Sequence, residues 1–127
     1  MNKVIASPAA PKAVGPYSQA QLVPAGAQTL FISGQLPINP ELGAMPESIE
    51  EQTRQSMTNL SNILAEAGMT FSDVVKTTVL LADIADFKAM NGVYAEHFSE
   101  PFPARVCFQV AALPLGAKVE IDAVAVK

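Results

Sequence analysis

One long amphipathic helix dominates what this chain can fold into. Ser48 followed three residues later by Glu51 reads as a capping box. Ile49, Thr53, Met57, Leu60, Ile63, Leu64 and Ala67 then recur at three- and four-residue spacing, which gathers them on one stripe. Gly68 is a stop signal, and Glu50, Arg54, Ser61, Asn62 and Glu66 fall on the opposite, water-facing side. A helix with one apolar stripe must bury it against something. The sequence offers mainly β material, above all the β-branched run Val74–Leu81, which reads as an internal strand. A sheet covered by helices follows.

The remaining segments fill that frame. Val4 and Ile5 suit a short edge strand, because Pro8 and Pro11 deny a central one. Tyr17–Val23 and Thr29–Ser33 flank the turn Pro24-Ala25-Gly26 and read as a hairpin. Leu36–Pro46 is a proline-rich loop. Asp83 or Asp86 starts a second helix with Phe87, Met90, Tyr94 and Phe98 on its apolar side and Asn91 beside them. Ala104–Gln109 and Lys118–Val126 are the last strands, joined through a turn at Ala112–Gly116. The order β-β-β-α-β-α-β-β predicts an α/β (α+β) domain, with a mixed six-stranded sheet and both helices on one face. At 127 residues, residues 1–127 make one domain.

Half the residues are hydrophobic and only 16% are charged, an apolar share that suggests surface buried in an oligomer, for which cyclic symmetry is usual. The net charge is −4 and the eight Lys and Arg residues are scattered. The basic footprint of a nucleic-acid binder is missing. A single cysteine forbids an intramolecular disulfide. Residues 1–16 lack the apolar core of a signal peptide, and no apolar run approaches a bilayer span. The expectation is a cytoplasmic protein.

The strand Ala104–Gln109 holds one of two arginines and the only cysteine. Alternation places Arg105, Cys107 and Gln109 on one face and Val106, Phe108 and Val110 on the other. The apolar set is read as the core face, with Arg105 and Cys107 on the opposite one. If the last two strands form a hairpin centred between Leu113 and Pro114, Cys107 stands opposite Glu120, and Arg105 opposite Asp122. Arg105 and Glu120 are then diagonal neighbours about 7–8 Å apart. A guanidinium binds a small carboxylate through two parallel hydrogen bonds, and a nearby carboxylate can hold a water or move a proton. The alternative is a structural ion pair. Cys107 as a nucleophile would need a base, and the only histidine is His97; a small buried hydrophobe is the other reading. One Cys and one His do not make a zinc site, so no metal is expected. Ser33-Gly34-Gln35 lacks the spacing of a phosphate-binding loop. Tyr17 is either a pocket aromatic or a packed strand residue.

Several blocks occur together in order: Gly15-Pro16-Tyr17-Ser18-Gln19-Ala20, Ser33-Gly34-Gln35-Leu36-Pro37, Val75-Lys76-Thr77-Thr78-Val79, Asn91 with Tyr94 and Phe98, Phe102-Pro103-Ala104-Arg105-Val106-Cys107, and Val119-Glu120-Ile121-Asp122-Ala123. In these, from about Ile5 to Val126, the chain closely resembles the Rid (reactive intermediate deaminase) family, also called YjgF or L-PSP. The resemblance implies a chorismate-mutase-like fold and a homotrimer whose sheets form a central barrel, with sites in clefts between subunits. It implies 2-iminobutanoate/2-iminopropanoate deaminase activity: hydrolysis of 2-aminoacrylate and related enamine/imine intermediates, released by pyridoxal-phosphate enzymes, to 2-oxo acids and ammonia. No cofactor is implied. By the same resemblance Arg105 anchors the substrate carboxylate, and Glu120 and the Cys107 backbone position the attacking water. Tyr17, Ser33, Gly34 and Asn91 match other substrate-binding positions, with Tyr17 expected from a neighbouring subunit. Rival readings are an endoribonuclease, as attributed to some relatives, a non-catalytic sensor of 2-oxo acids, and a trimeric scaffold.

Overall fold

A computed structural model describes residues 2–127. Its strands are β1 (Lys3–Ile5), β2 (Ala20–Leu22), β3 (Thr29–Gln35), β4 (Val74–Leu81), β5 (Ala104–Gln109) and β6 (Val119–Val126), and its helices are α1 (Ile49–Glu66) and α2 (Phe87–Glu96). The architecture is a mixed α+β fold. Among the described residues no helix is long and apolar enough to cross a membrane.

Helix α1 forms where its local signals place it. The Ser48 hydroxyl accepts from the Glu51 amide at 3.1 Å, while the Glu51 carboxylate turns to Arg54 instead of closing the reciprocal half of the box. Gly68 ends the helix at φ +70°, a conformation glycine adopts without strain. Ile49, Thr53, Met57, Leu60 and Leu64 are buried. Two polar residues on the same side are buried too, and both tie the helix to neighbouring segments. Gln52 donates to the Pro46 carbonyl at 2.9 Å and accepts from the Lys118 amide at 2.8 Å. Ser56 donates to the carbonyl of Gln35, at the end of β3, at 3.0 Å.

The strands divide between two sheets rather than forming the expected single one. β1 and β2 make a separate antiparallel pair, and the main sheet has the order β3-β6-β4-β5. Two expected hairpins are therefore absent. β2 pairs with β1 and not β3, and β5 and β6 are separated by β4, which runs parallel to β5 and antiparallel to β6. The reason lies in β4. Its residues Val74, Val75, Thr77, Val79 and Leu81 are buried, and a strand this enclosed needs a partner on each side. Helix α2 supplies the crossover that a parallel β4–β5 pair requires.

This topology also reverses the expected faces of β5. Arg105 is registered with Thr77 and Cys107 with Val79; both partners are fully buried beneath the helices. Arg105 and Cys107 thus stand on the helix-covered face. Val106 and Phe108 point to the open face, each 45% exposed, and Phe31 of β3 is 78% exposed there. On this face Leu80 lies between Phe108 of β5 and Glu120 of β6.

Candidate active site

Arg105 is placed by three elements. The start of β5 is stitched on its outer edge to the segment before β2. The Ser18 amide donates to the Pro103 carbonyl at 3.1 Å, and both the Ser18 hydroxyl and the Gln21 side-chain amide donate to the Phe102 carbonyl. That stitch carries Tyr17 to within 5.9 Å of the Arg105 guanidinium, measured to the ring centroid. Tyr17 therefore comes from the same chain, not from a neighbouring subunit as expected. From the other side, α2 presents Phe87, Asn91 and Tyr94, four and then three residues apart and so on one helical face. The Asn91 Oδ1 accepts from Arg105 Nη1 at 2.6 Å. The rings of Tyr94 and Phe87 lie 4.9 and 5.6 Å from the guanidinium.

Among the described residues the only ion pairs join Arg54 to Glu51 and Glu96. Arg105 is thus a half-buried cation with no carboxylate beside it, so the structural pairing with Glu120 weighed from the sequence does not form within the chain. It faces a cavity of about 220 Å³ lined by Val14, Gly15, Tyr17, Phe87, Asn91, Arg105 and Cys107. Burial pushes the Cys107 thiol above its usual pKa, with the Arg105 charge pulling the other way. The thiol is thereby held protonated, the wrong state for a nucleophile. His97 supplies no base either, since it lines a different cavity with Phe71 and Phe98, and its Nδ1 lies 2.9 Å from the Val93 carbonyl.

The other expected residues form a second cluster. β3 carries a bulge where Ser33 and Gly34 lie between the pairs Ile32–Ala123 and Gln35–Ile121, so two residues face the single Asp122. Gly34 lies directly against Glu120: a Cβ on it would sit 2.1 Å from Glu120 Oε2. Glu120 is not a diagonal neighbour of Arg105. Its register partner Leu80 and Arg105's partner Thr77 are three residues apart on β4, which puts the two side chains on opposite faces. They are also two strand spacings apart, about 10 Å. The expected residues thus fall in two separate groups, Arg105 with Cys107, Tyr17 and Asn91 at one sheet edge, and Glu120 with Ser33 and Gly34 towards the other.

Residues 7–127 match the family profile described as Endoribonuclease L-PSP. The 2-iminobutanoate/2-iminopropanoate deaminase of Capra hircus is 50% identical over all of this chain and 91% of its own length. The chain belongs to the Rid/YjgF/L-PSP family. Another relative, the chloroplastic Reactive Intermediate Deaminase A of Arabidopsis thaliana, is 49% identical over 98% of this chain and 65% of its own. Among solved structures, E. coli TdcF with bound serine superposes with a TM-score of 0.76 at 41% identity, covering 98% of each chain.

In this Rid-family chain, Phe87 and Tyr94 are contacts of Arg105 that periodicity alone assigns to the core. The available signal was Asn91, a polar residue set between them on one helical face.

Proposed function

We propose that this chain is a 2-iminobutanoate/2-iminopropanoate deaminase, a single domain of residues 1–127 acting in the cytoplasm as a homotrimer. The observation that carries this reading is Arg105: a half-buried guanidinium, oriented by Asn91 and facing a small cavity, without an anion of its own. Such a group suits a small carboxylate. The names of the relatives supply the chemistry, and the serine in the TdcF structure is an amino acid of the same size class.

With Nη1 committed to Asn91, the remaining guanidinium N–H groups bind the substrate carboxylate. A 2-aminoacrylate enamine becomes the imine by taking a proton at C3 and losing one from nitrogen. Water then adds to the electrophilic C2. Glu120 takes one proton from the attacking water and delivers it to nitrogen, giving a carbinolamine. The same carboxylate then moves the carbinolamine hydroxyl proton to the amine as the C–N bond breaks, releasing ammonia and leaving the C2 carbonyl of the 2-oxo acid. Because Glu120 lies on the opposite sheet face from Arg105 within one chain, we assign the working carboxylate to a neighbouring subunit, along with Ser33 and Gly34 beside it. β5 is an edge strand, so outward backbone groups around Cys107 remain available to the water. The exposed apolar residues Phe31, Val106 and Phe108 supply a face for such an assembly. The net charge of −4 weighs against the ribonuclease reading.

The test generates 2-aminoacrylate with a serine dehydratase and follows pyruvate release. Wild type accelerates release, and Arg105→Ala loses at least about 10–100-fold in kcat/KM, the scale of a charge-assisted pair. Equal rates would overturn the assignment; pyruvate binding without turnover would make the protein a sensor.

A further inference from the structure

We propose that α2 is a seat that holds Arg105 ready for its carboxylate, with Tyr94 and Phe87 as positioning residues and Thr77 as the lock on Tyr94. The inference rests on Arg105 as the anchor, and it concerns residues outside those assigned above.

The guanidinium lies 4.9 Å from the Tyr94 ring and 5.6 Å from that of Phe87, and Asn91 between them accepts from Nη1. Aromatic faces attract a cation through their quadrupole while leaving its charge whole. An acidic residue in the same place would hold the arginine equally well, but it would compete with any anionic ligand. Every group in this seat is neutral. Tyr94 is already neutral near pH 7 at its ordinary pKa of 10.0, and burial pushes that up further to about 12, although Thr77 and Arg105 draw it down. The Tyr94 hydroxyl is bound to Thr77 Oγ1 at 2.8 Å, and both residues are fully buried. Thr77 is also the register partner of Arg105. One strand pair therefore fixes both the arginine's backbone and the ring that its head group rests on. The long, flexible side chain loses its freedom before the substrate arrives, which reduces the ordering cost of binding.

The experiment measures pyruvate binding by calorimetry and 2-aminoacrylate hydrolysis by steady-state kinetics, for wild type, Tyr94→Leu, Tyr94→Phe, Phe87→Leu and Arg105→Ala. Leucine keeps apolar bulk and removes the quadrupole. The leucine variants should bind pyruvate about 3–30-fold more weakly, with the loss in KM rather than kcat, since the carboxylate is held alike before and during reaction. Tyr94→Phe should recover most of the affinity lost in Tyr94→Leu. Phe87→Leu, at the half-buried end of the seat, carries the test if Tyr94→Leu fails to fold. If Arg105→Ala binds pyruvate like wild type, the anchor reading falls and the seat with it. If Arg105→Ala loses binding while a folded leucine variant matches wild type, or loses kcat instead of KM, the seat alone is overturned.

Discussion

Gly34→Ala tests the role of Glu120 while leaving that carboxylate in the chain. A Cβ added at Gly34 would lie 2.1 Å from Glu120 Oε2 and 2.9 Å from its Cδ. Restoring the 3.4 Å of ordinary contact moves the oxygen by about 1.3 Å. The obstructing atoms are the end of a flexible side chain, so the carboxylate swings rather than the sheet. The fold should bear this easily, because an alanine in a strand is also favoured over glycine by roughly 0.5–1 kcal/mol. Catalysis should not. Misplacing a reacting group by about 1 Å costs on the order of 100-fold in rate. Arg105 lies on the opposite face, so the pocket proposed to bind the 2-oxo acid keeps its geometry. The expected variant has a melting temperature within a few degrees of wild type, pyruvate binding within about threefold, and kcat for 2-aminoacrylate hydrolysis lower by about 100-fold. Thermal denaturation, calorimetry and pyruvate release measure the three. A folded variant with wild-type kcat would refute the placement of Glu120 in the chemistry. Loss of binding with unchanged kcat would assign the bulge to substrate affinity.

Tyr94 should make the protein lose stability at alkaline pH. Its native pKa of about 12 lies above the ordinary value of 10.0, so the unfolded chain sheds the proton first. Stability then falls from about pH 10 to about pH 12 by up to roughly 3 kcal/mol. Tyr94→Phe should flatten that part of the curve in urea titrations; an equally steep decline would remove Tyr94 as its source. Phe108→Glu places a charge on the open apolar face, where sedimentation should show dissociation of the assembly and pyruvate release should fall in parallel. An active monomer would contradict a site shared between subunits.

Helix α1 was legible because everything that defines it is local. Ser48, the three- and four-residue spacing and Gly68 act within the segment itself, and tertiary packing agrees with them. Strand positions were legible for the same reason, and alternation correctly put Arg105 on one side of β5 and Phe108 on the other. Pairing was not. Val110–Lys118 contains a credible turn, yet the chain carries it past the end of β4, where the Val110 amide donates to Leu81 and the Ala82 amide donates to Lys118. Nothing local in β5 or β6 records that β4 must lie between them. That information resides in the enclosure of β4, far off in sequence.

The choice of face failed for a different reason, and it bears on the site. On β5 the apolar residues face out and the polar set, Arg105 and Gln109, faces the helices, so alternation read on that strand alone points the wrong way. The rest of the sheet offers no correction, because both of its sides are apolar: Val79, Leu81, Val119 and Ile121 lie under the helices, while Phe31, Leu80, Val106 and Phe108 line the open side. The apolarity of β5's outer residues thus marks an open apolar face, which the proposed assembly would cover, and not the core. Glu120 lies on that outer side because of its register with Leu80. Any partner that covers the apolar face must approach the carboxylate as well, whereas Arg105 remains in a pocket on the other face. In the proposed deaminase, a monomer would display both halves of the site without being able to join them. On that proposal, burial of the open face and completion of the site are one structural requirement, set by the parity of residues along β4.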